Sequence, residues 1–217
     1  MSSQYTEEED KLISWFKDNY KNIIFGLLFG TSLVFGFKYY NDLNANKQYE
    51  MSLKYEEAIK DYQDKKYEKV MLLSEEYQAS NPSNIYTSMV NLYVAKIYHD
   101  EGKYLESLNT LDFIIKNSSS KEMQMVANVR YSRILILQKK YNEAVQAFRD
   151  TLRLSPNFFE AYIGIGRAYI NSDRNQDAIG PLKNAITINP GYTDSYERLG
   201  AAYQNLGQHD KALIPYI

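Results

Sequence analysis

Residues 159–192 read FEAYIGIGRAYINSDRNQDAIGPLKNAITINPGY, and this 34-residue stretch decides the fold. Tyr162, Ile165, Ala168 and Tyr169 share one face of a 3.6-residue period, and Ala178, Ile179, Leu182, Ala185 and Ile186 share another. The polar run 171–175 separates two short helices, and Pro190 closes the pair because proline cannot continue a helix. Gly166, Ala178 and Ala185 stand where the helices must approach closely, and Tyr162, Tyr169 and Leu182 fill the space around them. A hairpin this short cannot bury its own apolar face, so it requires stacked neighbours.

The same period finds them. From Thr193 onward, Tyr196, Leu199, Gly200, Tyr203 and Ala212 repeat the pattern, and residues 125–158 supply Ala144, Phe148 and Pro156. Tyr67, Tyr104 and Tyr141 each follow a lysine at the start of a second helix, 37 residues apart, and Pro82 closes the earliest copy. The units read 51–87, 88–124, 125–158, 159–192 and a partial 193–217. The pattern resembles the tetratricopeptide (TPR) repeat, and the expected class is all-α, a TPR-type α-solenoid of helix hairpins. Residues 117–121 (NSSSK) read as a flexible connector. Pro181 and Pro215 share one offset early in successive second helices, where a proline kinks the helix. The chain stops at Ile217 inside an expected second helix, which leaves either an uncapped helix face or an incomplete chain.

Composition narrows the function. The net charge of −2 comes with no long basic run, which argues against nucleic acid, and the 21 tyrosines mostly fall at repeat-packing positions, where they read as core. Cysteine is absent, which excludes disulfides, thiolate metal sites and cysteine nucleophiles. His99 and His209 lack partners at metal-ligand spacing and read as surface side chains. Gly164-Ile165-Gly166 lies inside a helix with no preceding strand, so it is packing and not a phosphate loop. No catalytic residue, metal site or cofactor is expected, and the protein does not read as an enzyme.

The N-terminal quarter is different. Residues 1–21 form a short polar and amphipathic tail, in which Glu7-Glu8-Glu9-Asp10 precedes Leu12, Trp15 and Phe16 on one face, suited to a membrane surface. Residues 22–37 carry no charge and include ten Ile, Leu, Phe or Val residues between Lys21 and Lys38. Sixteen helical residues span about 24 Å, somewhat less than the roughly 30 Å hydrocarbon core, and flanking lysines and tyrosines make up the difference. The span is placed at 22–40 and a polar stalk at 41–50. Flanking lysines are nearly balanced, so charge leaves the orientation open. Gly26 and Gly30 form a GxxxG, and Gly36 follows, a pattern that suits helix packing in lipid.

In TPR solenoids, residues two, five, nine and twelve of each first helix line a concave peptide-binding groove. That resemblance selects Met89, Leu92, Lys96 and His99, then Val126, Val129, Arg133 and Ile136, then Glu160, Ile163, Arg167 and Ile170. Lys96, Arg133 and Arg167 would form a basic ladder able to pair with acidic groups or a terminal carboxylate. The apolar members could equally be core. The carboxylate clamp of chaperone-binding TPR domains is missing, since Ile163 and Glu197 occupy places that need lysine.

Residues 7–145 resemble the YfgM-type family of ancillary SecYEG translocon subunits. The resemblance rests on LISWFKDN at 12–19, on Gly26 and Gly30, and on Gly36-Phe37-Lys38-Tyr39-Tyr40. It implies a single-pass anchor in the bacterial inner membrane and a periplasmic C-terminal domain. The partners it implies are the SecYEG translocon, a PpiD-type periplasmic chaperone and unfolded or translocating clients, with no nucleic acid or small-molecule substrate. Two alternatives are a scaffold for another envelope assembly machine, such as lipopolysaccharide or pilus assembly, and a cytosol-facing receptor of the organellar import type.

Overall fold

The computed structural model describes residues 2–212, with side chains from Glu8 onward. Pro215, Ile217 and the end of the partial fifth unit lie outside the described residues, as does the Glu7 side chain. The described chain is helical: α1 (Ser2–Gln63), α2 (Tyr67–Ser80), α3 (Ile85–Asp100), α4 (Tyr104–Asn117), α5 (Lys121–Leu137), α6 (Tyr141–Leu154), α7 (Phe159–Asn171), α8 (Asn175–Ile188), α9 (Thr193–Asn205) and α10 (His209–Ala212). It divides into two compact units, Met1–Lys54 and Tyr55–Ile217.

In the first unit α1 runs without a break through the stretches read as tail, span and stalk. Ile24, Phe25, Leu27, Leu28, Phe29, Leu33, Val34, Phe35 and Phe37 are each at least half exposed, on every side of the helix. A helix apolar all round requires burial in protein or lipid, and this one is long and apolar enough to cross a membrane. Thr31 Oγ1 and Ser32 Oγ donate back to the carbonyls of Leu27 and Leu28 at 2.9 and 2.7 Å, so neither hydroxyl is left unsatisfied. A Cβ added at Gly26, Gly30 or Gly36 would meet no atom within 4 Å, so no packing within the chain demands glycine there.

The second unit is built on a corner that recurs five times. Lys65, Gly102, Lys139, Asp173 and Gly207 all have positive φ, between 59 and 73°. The next residue donates five residues back: Lys66 to Asp61, Lys103 to Tyr98, Lys140 to Leu135, Arg174 to Tyr169 and Gln208 to Tyr203, at 2.8–2.9 Å. The positive-φ residue itself donates three back, as Lys139 does to Ile136 at 3.0 Å. This pair of bonds is the Schellman arrangement, which satisfies the last carbonyls of a helix and reverses the chain. The second helix then starts at once, at Tyr67, Tyr104, Tyr141, Asn175 and His209.

First helices begin at Ile85 and Lys121, a few residues ahead of the expected unit boundaries at 88 and 125. Side-chain caps set these starts: Asn84 accepts from the Tyr86 amide, and Ser120 from that of Met123. The 117–121 connector is not a loose tether, which corrects the sequence reading. Ser118 is buried and its Oγ accepts from Ser88 Oγ at 2.9 Å, and Ser119 Oγ donates to the Ser83 carbonyl at 2.9 Å. Serine hydroxyls offered backbone carbonyls this near become a clasp.

One apolar cluster runs from Ala95 to Ala212. Ala127, Ala144, Ala161, Ala168, Ala178 and Ala202 are wholly buried within it, where helices cross closely. A Cβ on Gly166 would stand 2.6 Å from Leu182 Cγ of α8, and one on Gly164 would enter the Phe148 ring of α6. The N-terminal repeats replace part of this packing with hydrogen bonds. Buried Asn91 accepts from Ser74 and Gln78 and donates to the Thr87 carbonyl at 2.7 Å, and Ser107 donates to the Ala95 carbonyl at 2.7 Å. That substitution of polar for small apolar residues is why the sequence pattern is faint there. Pro181 sits inside α8, which continues from Asn175 to Ile188 past it.

Gly166→Val forces either Leu182 or the α7–α8 approach to shift. We expect a loss of about 1–3 kcal/mol, read as a lower denaturation midpoint; an unchanged midpoint would show that the two helices do not pack this tightly.

Candidate peptide-binding groove

The first helices touch one another in series, α3 to α5 to α7 to α9, and their shared face carries two adjoining cavities. One, of about 300 Å³, is lined by Lys96, His99 and Asp100 of α3, by Arg130 and Arg133 of α5, and by Ser107 and Leu111 of the second helix α4. The next, of about 330 Å³, is lined by Arg133, by Glu160, Ile163 and Arg167 of α7, and by Asp194 and Arg198 of α9. Arg133 faces both. The basic ladder read from the sequence therefore lies along one surface, but with two further rungs, Arg130 and Arg198.

Few of these cations are neutralised. Arg198 Nε donates to Asp194 Oδ2 at 2.8 Å. Arg130 Nη1 donates to the Leu92 carbonyl at 3.1 Å, an uncharged acceptor. Burial, and then the neighbouring charge of Arg133, holds the Arg130 guanidinium below its ordinary pKa. Arg167 is lowered in the same way, first by burial and then by Arg198 and Arg133, against the opposing pull of Asp194. Lys96 is raised by its hydrogen bond to Tyr62, and its Nζ lies 5.6 Å from the Tyr62 ring centre. His99 Nδ1 lies 3.2 Å from Asp100 Oδ1. Glu160 Oε2 is buried with no hydrogen-bond partner.

The apolar positions divide. Val129, Ile136 and Ile163 are buried at 8, 5 and 7% exposure, and Leu92 and Ile170 pack on the apolar cluster, so these five side chains serve the core as they stand. Met89 is half-buried, and Val126, at 36%, is exposed. A fifth-position residue on a stacked helix points between its neighbours, which is why the aliphatic rows go inward while the ninth-position cations stay outside.

Sequence reasoning missed a tyrosine wall. Tyr55 and Tyr62 of α1 meet Tyr86 and Tyr93 of α3, with ring centres 5.7 Å apart for Tyr55–Tyr86, 6.4 Å for Tyr55–Tyr93 and 4.8 Å for Tyr62–Tyr93. All four are half-buried and lie outside the apolar cluster. The signal was the seven-residue spacing within each pair, which puts both rings on one helix face. Arg130 was likewise legible, three residues before Arg133.

A stack of helix hairpins with an unneutralised basic face is an interaction scaffold. Residues 13–187 match the tetratricopeptide repeat-like domain, and residues 182–214 match the tetratricopeptide repeat. The chain belongs to the tetratricopeptide repeat-like domain family, and it is a protein-binding scaffold, not an enzyme. It is similar to the ancillary SecYEG translocon subunit of Escherichia coli (strain K12), at 22% identity over 152 residues, 69% of this chain and 72% of that one. In fold it is similar to the crystal structure of MamA, with a TM-score of 0.60 and 21% identity over 73% of this chain and 90% of that chain. MamA from Desulfovibrio magneticus RS-1 superposes with a TM-score of 0.62 at 16% identity, over 76% and 90%.

Burial and the neighbouring Tyr93 push the Tyr55 phenol from 10.0 up to about 12. A raised pKa favours the neutral phenol in the folded state, so its contribution is complete below pH 10 and lost as pH rises to about 12. Stability should therefore fall across that window, and fall less steeply in Tyr55→Phe; identical alkaline unfolding curves for the two would refute the assignment.

Proposed function

We propose that this protein is an adaptor of the bacterial inner membrane, anchored by one pass of α1, with its repeats in the periplasm. There it holds segments of the translocon, of a PpiD-type chaperone or of clients emerging during export. The observation that carries this reading is the basic face of Lys96, Arg130, Arg133, Arg167 and Arg198, in which the one ion pair is Arg198–Asp194 among the described residues. Arg130 and Arg167 are half-buried without carboxylate partners, and guanidiniums so placed favour acidic ligands because the ligand supplies the charge that the fold withholds. The similarity to the ancillary SecYEG translocon subunit supports the export setting. The exposed apolar stretch of α1 supports the anchor, and the open faces at Gly26, Gly30 and Gly36 suit contact with another membrane helix. Anchoring also raises the effective concentration of the repeats near membrane partners, so individually weak contacts suffice.

Photo-crosslinking in cells from Met89 and Val126, which leave the ladder intact, should trap translocon subunits, a periplasmic chaperone or nascent exported chains. Recovery of lipopolysaccharide- or pilus-assembly proteins instead would move the scaffold to another envelope machine, and a cytosolic reporter signal from a C-terminal fusion would reverse the orientation. Replacing Lys96, Arg133 and Arg167 together by Ala should reduce the trapped yield at least about tenfold, given about 1.5–3 kcal/mol for each charged hydrogen bond lost. An undiminished yield would remove the ladder from the mechanism.

A further inference from the structure

The seam between α2 and α3 is made of different residues from the later seams. Seven residues after the starts of α2, α4, α6 and α8 stand Ser74, Leu111, Phe148 and Leu182, buried at 2, 1, 2 and 0% exposure. The last three are large and apolar; the first is a hydroxyl. Ser74 Oγ donates to Asn91 Oδ1 of α3 at 3.1 Å, and Gln78 Nε2 donates to the Ser74 and Asn91 oxygens. Alongside, α1 meets α3 through tyrosine rings, Tyr55 and Tyr62 against Tyr86 and Tyr93. The apolar cluster that joins the later hairpins takes in Ala95 and, among the described residues, nothing from α1 or α2.

Exposing Leu or Phe to water costs free energy in proportion to apolar area. A separated Ser, Asn or Gln instead trades its internal hydrogen bonds for bonds to water, at small net cost. In an array held by nearest-neighbour contacts, the weakest seam opens first. Val70, Tyr77, Val90 and Val94 are buried, which keeps this seam closed at rest.

Two sets of bonds define where it parts. The first hairpin is held within itself by the Lys66 amide, which donates to the Asp61 carbonyl at 2.8 Å, and by the Tyr62 and Tyr67 rings, 5.8 Å apart. Helix α3 is held to the later array. Ser107 Oγ donates to the Ala95 carbonyl at 2.7 Å, Arg130 Nη1 to the Leu92 carbonyl at 3.1 Å, and Ser88 Oγ to Ser118 Oγ at 2.9 Å. Thr87 Oγ1 of α3 donates to the Asn81 carbonyl at 2.6 Å, so the pivot falls at the end of α2, beside Ser80.

We propose that the α2–α3 seam is a built-in opening point, at which the hairpin of α1 from Tyr55 and α2 swings away as a unit while α3 to α9 stay packed. Closed, the hairpin holds Lys96, whose Nζ lies 5.6 Å from the Tyr62 ring centre. Open, it releases that cation and uncovers Val90 and Val94. A partner that engages either draws the array toward the open form. The opening itself does not depend on what the basic face binds.

The chain has no cysteine, so one introduced thiol reports on its own site. Maleimide labelling of the full-length protein in detergent micelles is timed under native conditions for four single variants. Ser74→Cys and Val94→Cys lie on the two sides of the seam, and Ala95→Cys and Ala144→Cys lie in the apolar cluster; all four positions are at most 4% exposed. The first pair should label at least about tenfold faster than the second. Adding Asn91→Leu and Gln78→Leu to Ser74→Cys makes the seam apolar and should slow its labelling about tenfold. Equal rates at the four sites would overturn the proposal. So would labelling of Ala95→Cys as fast as its neighbour Val94→Cys, because α3 would then be melting and not staying with the array. Unchanged labelling in a folded apolar-seam variant would overturn it too; if that variant does not fold, the four-site comparison decides alone.

Discussion

The close approach of α7 to the helices on either side of it is the constraint on which the repeat unit depends. Gly164 admits the Phe148 ring of α6, and Gly166 admits the Leu182 side chain of α8. Two glycines one turn-half apart thus seat two different neighbours on two sides of a single helix. Glycine inside a helix costs about 0.5–1 kcal/mol relative to alanine, so these positions hold glycine because a Cβ would cost more. The wholly buried alanines at 144, 161, 168, 178 and 202 extend the same rule along the stack. Because the apolar residues of each first helix are drawn into these contacts, what remains for the outer face is charged.

That division explains the electrostatics of the groove. Stacking brings the ninth-position cations of successive helices side by side, and the fold supplies them with few acids. Burial first, and then the charges of Arg198 and Arg133, hold the Arg167 guanidinium below its ordinary pKa. The basic character of this face follows from how the helices stack, with Glu160 Oε2, buried without a hydrogen-bond partner, as the feature that packing alone does not account for.

Legibility in the sequence followed the same physics. Residues 159–192 were readable because both helices bury small and large apolar residues at a constant offset, and the second-helix starts at Tyr67, Tyr104 and Tyr141 were readable from their lysine-tyrosine pairs. The starts of α3 and α5 were harder, because Asn84 and Ser120 cap them within polar runs that look like loop. The serine connector was misread for a related reason: a hydroxyl's partner, such as Ser88 for Ser118, lies 30 residues away and leaves no local trace. In the groove the cations were found but Val129, Ile136 and Ile163 went to the core, since offset alone does not say whether a neighbour covers a side chain. Tyr169 and Tyr203 are buried, as their repeat positions suggest, while Tyr55, Tyr62, Tyr86 and Tyr93 pack on one another in a half-buried wall.

Every helix-to-helix contact among the described residues joins elements one or two places apart in the chain. Among the described residues no strand or returning segment ties distant hairpins together, so cohesion is handed along from hairpin to hairpin. Under tension such an array yields by peeling, releasing one hairpin while the next holds, and it lengthens gradually where a globule would snap.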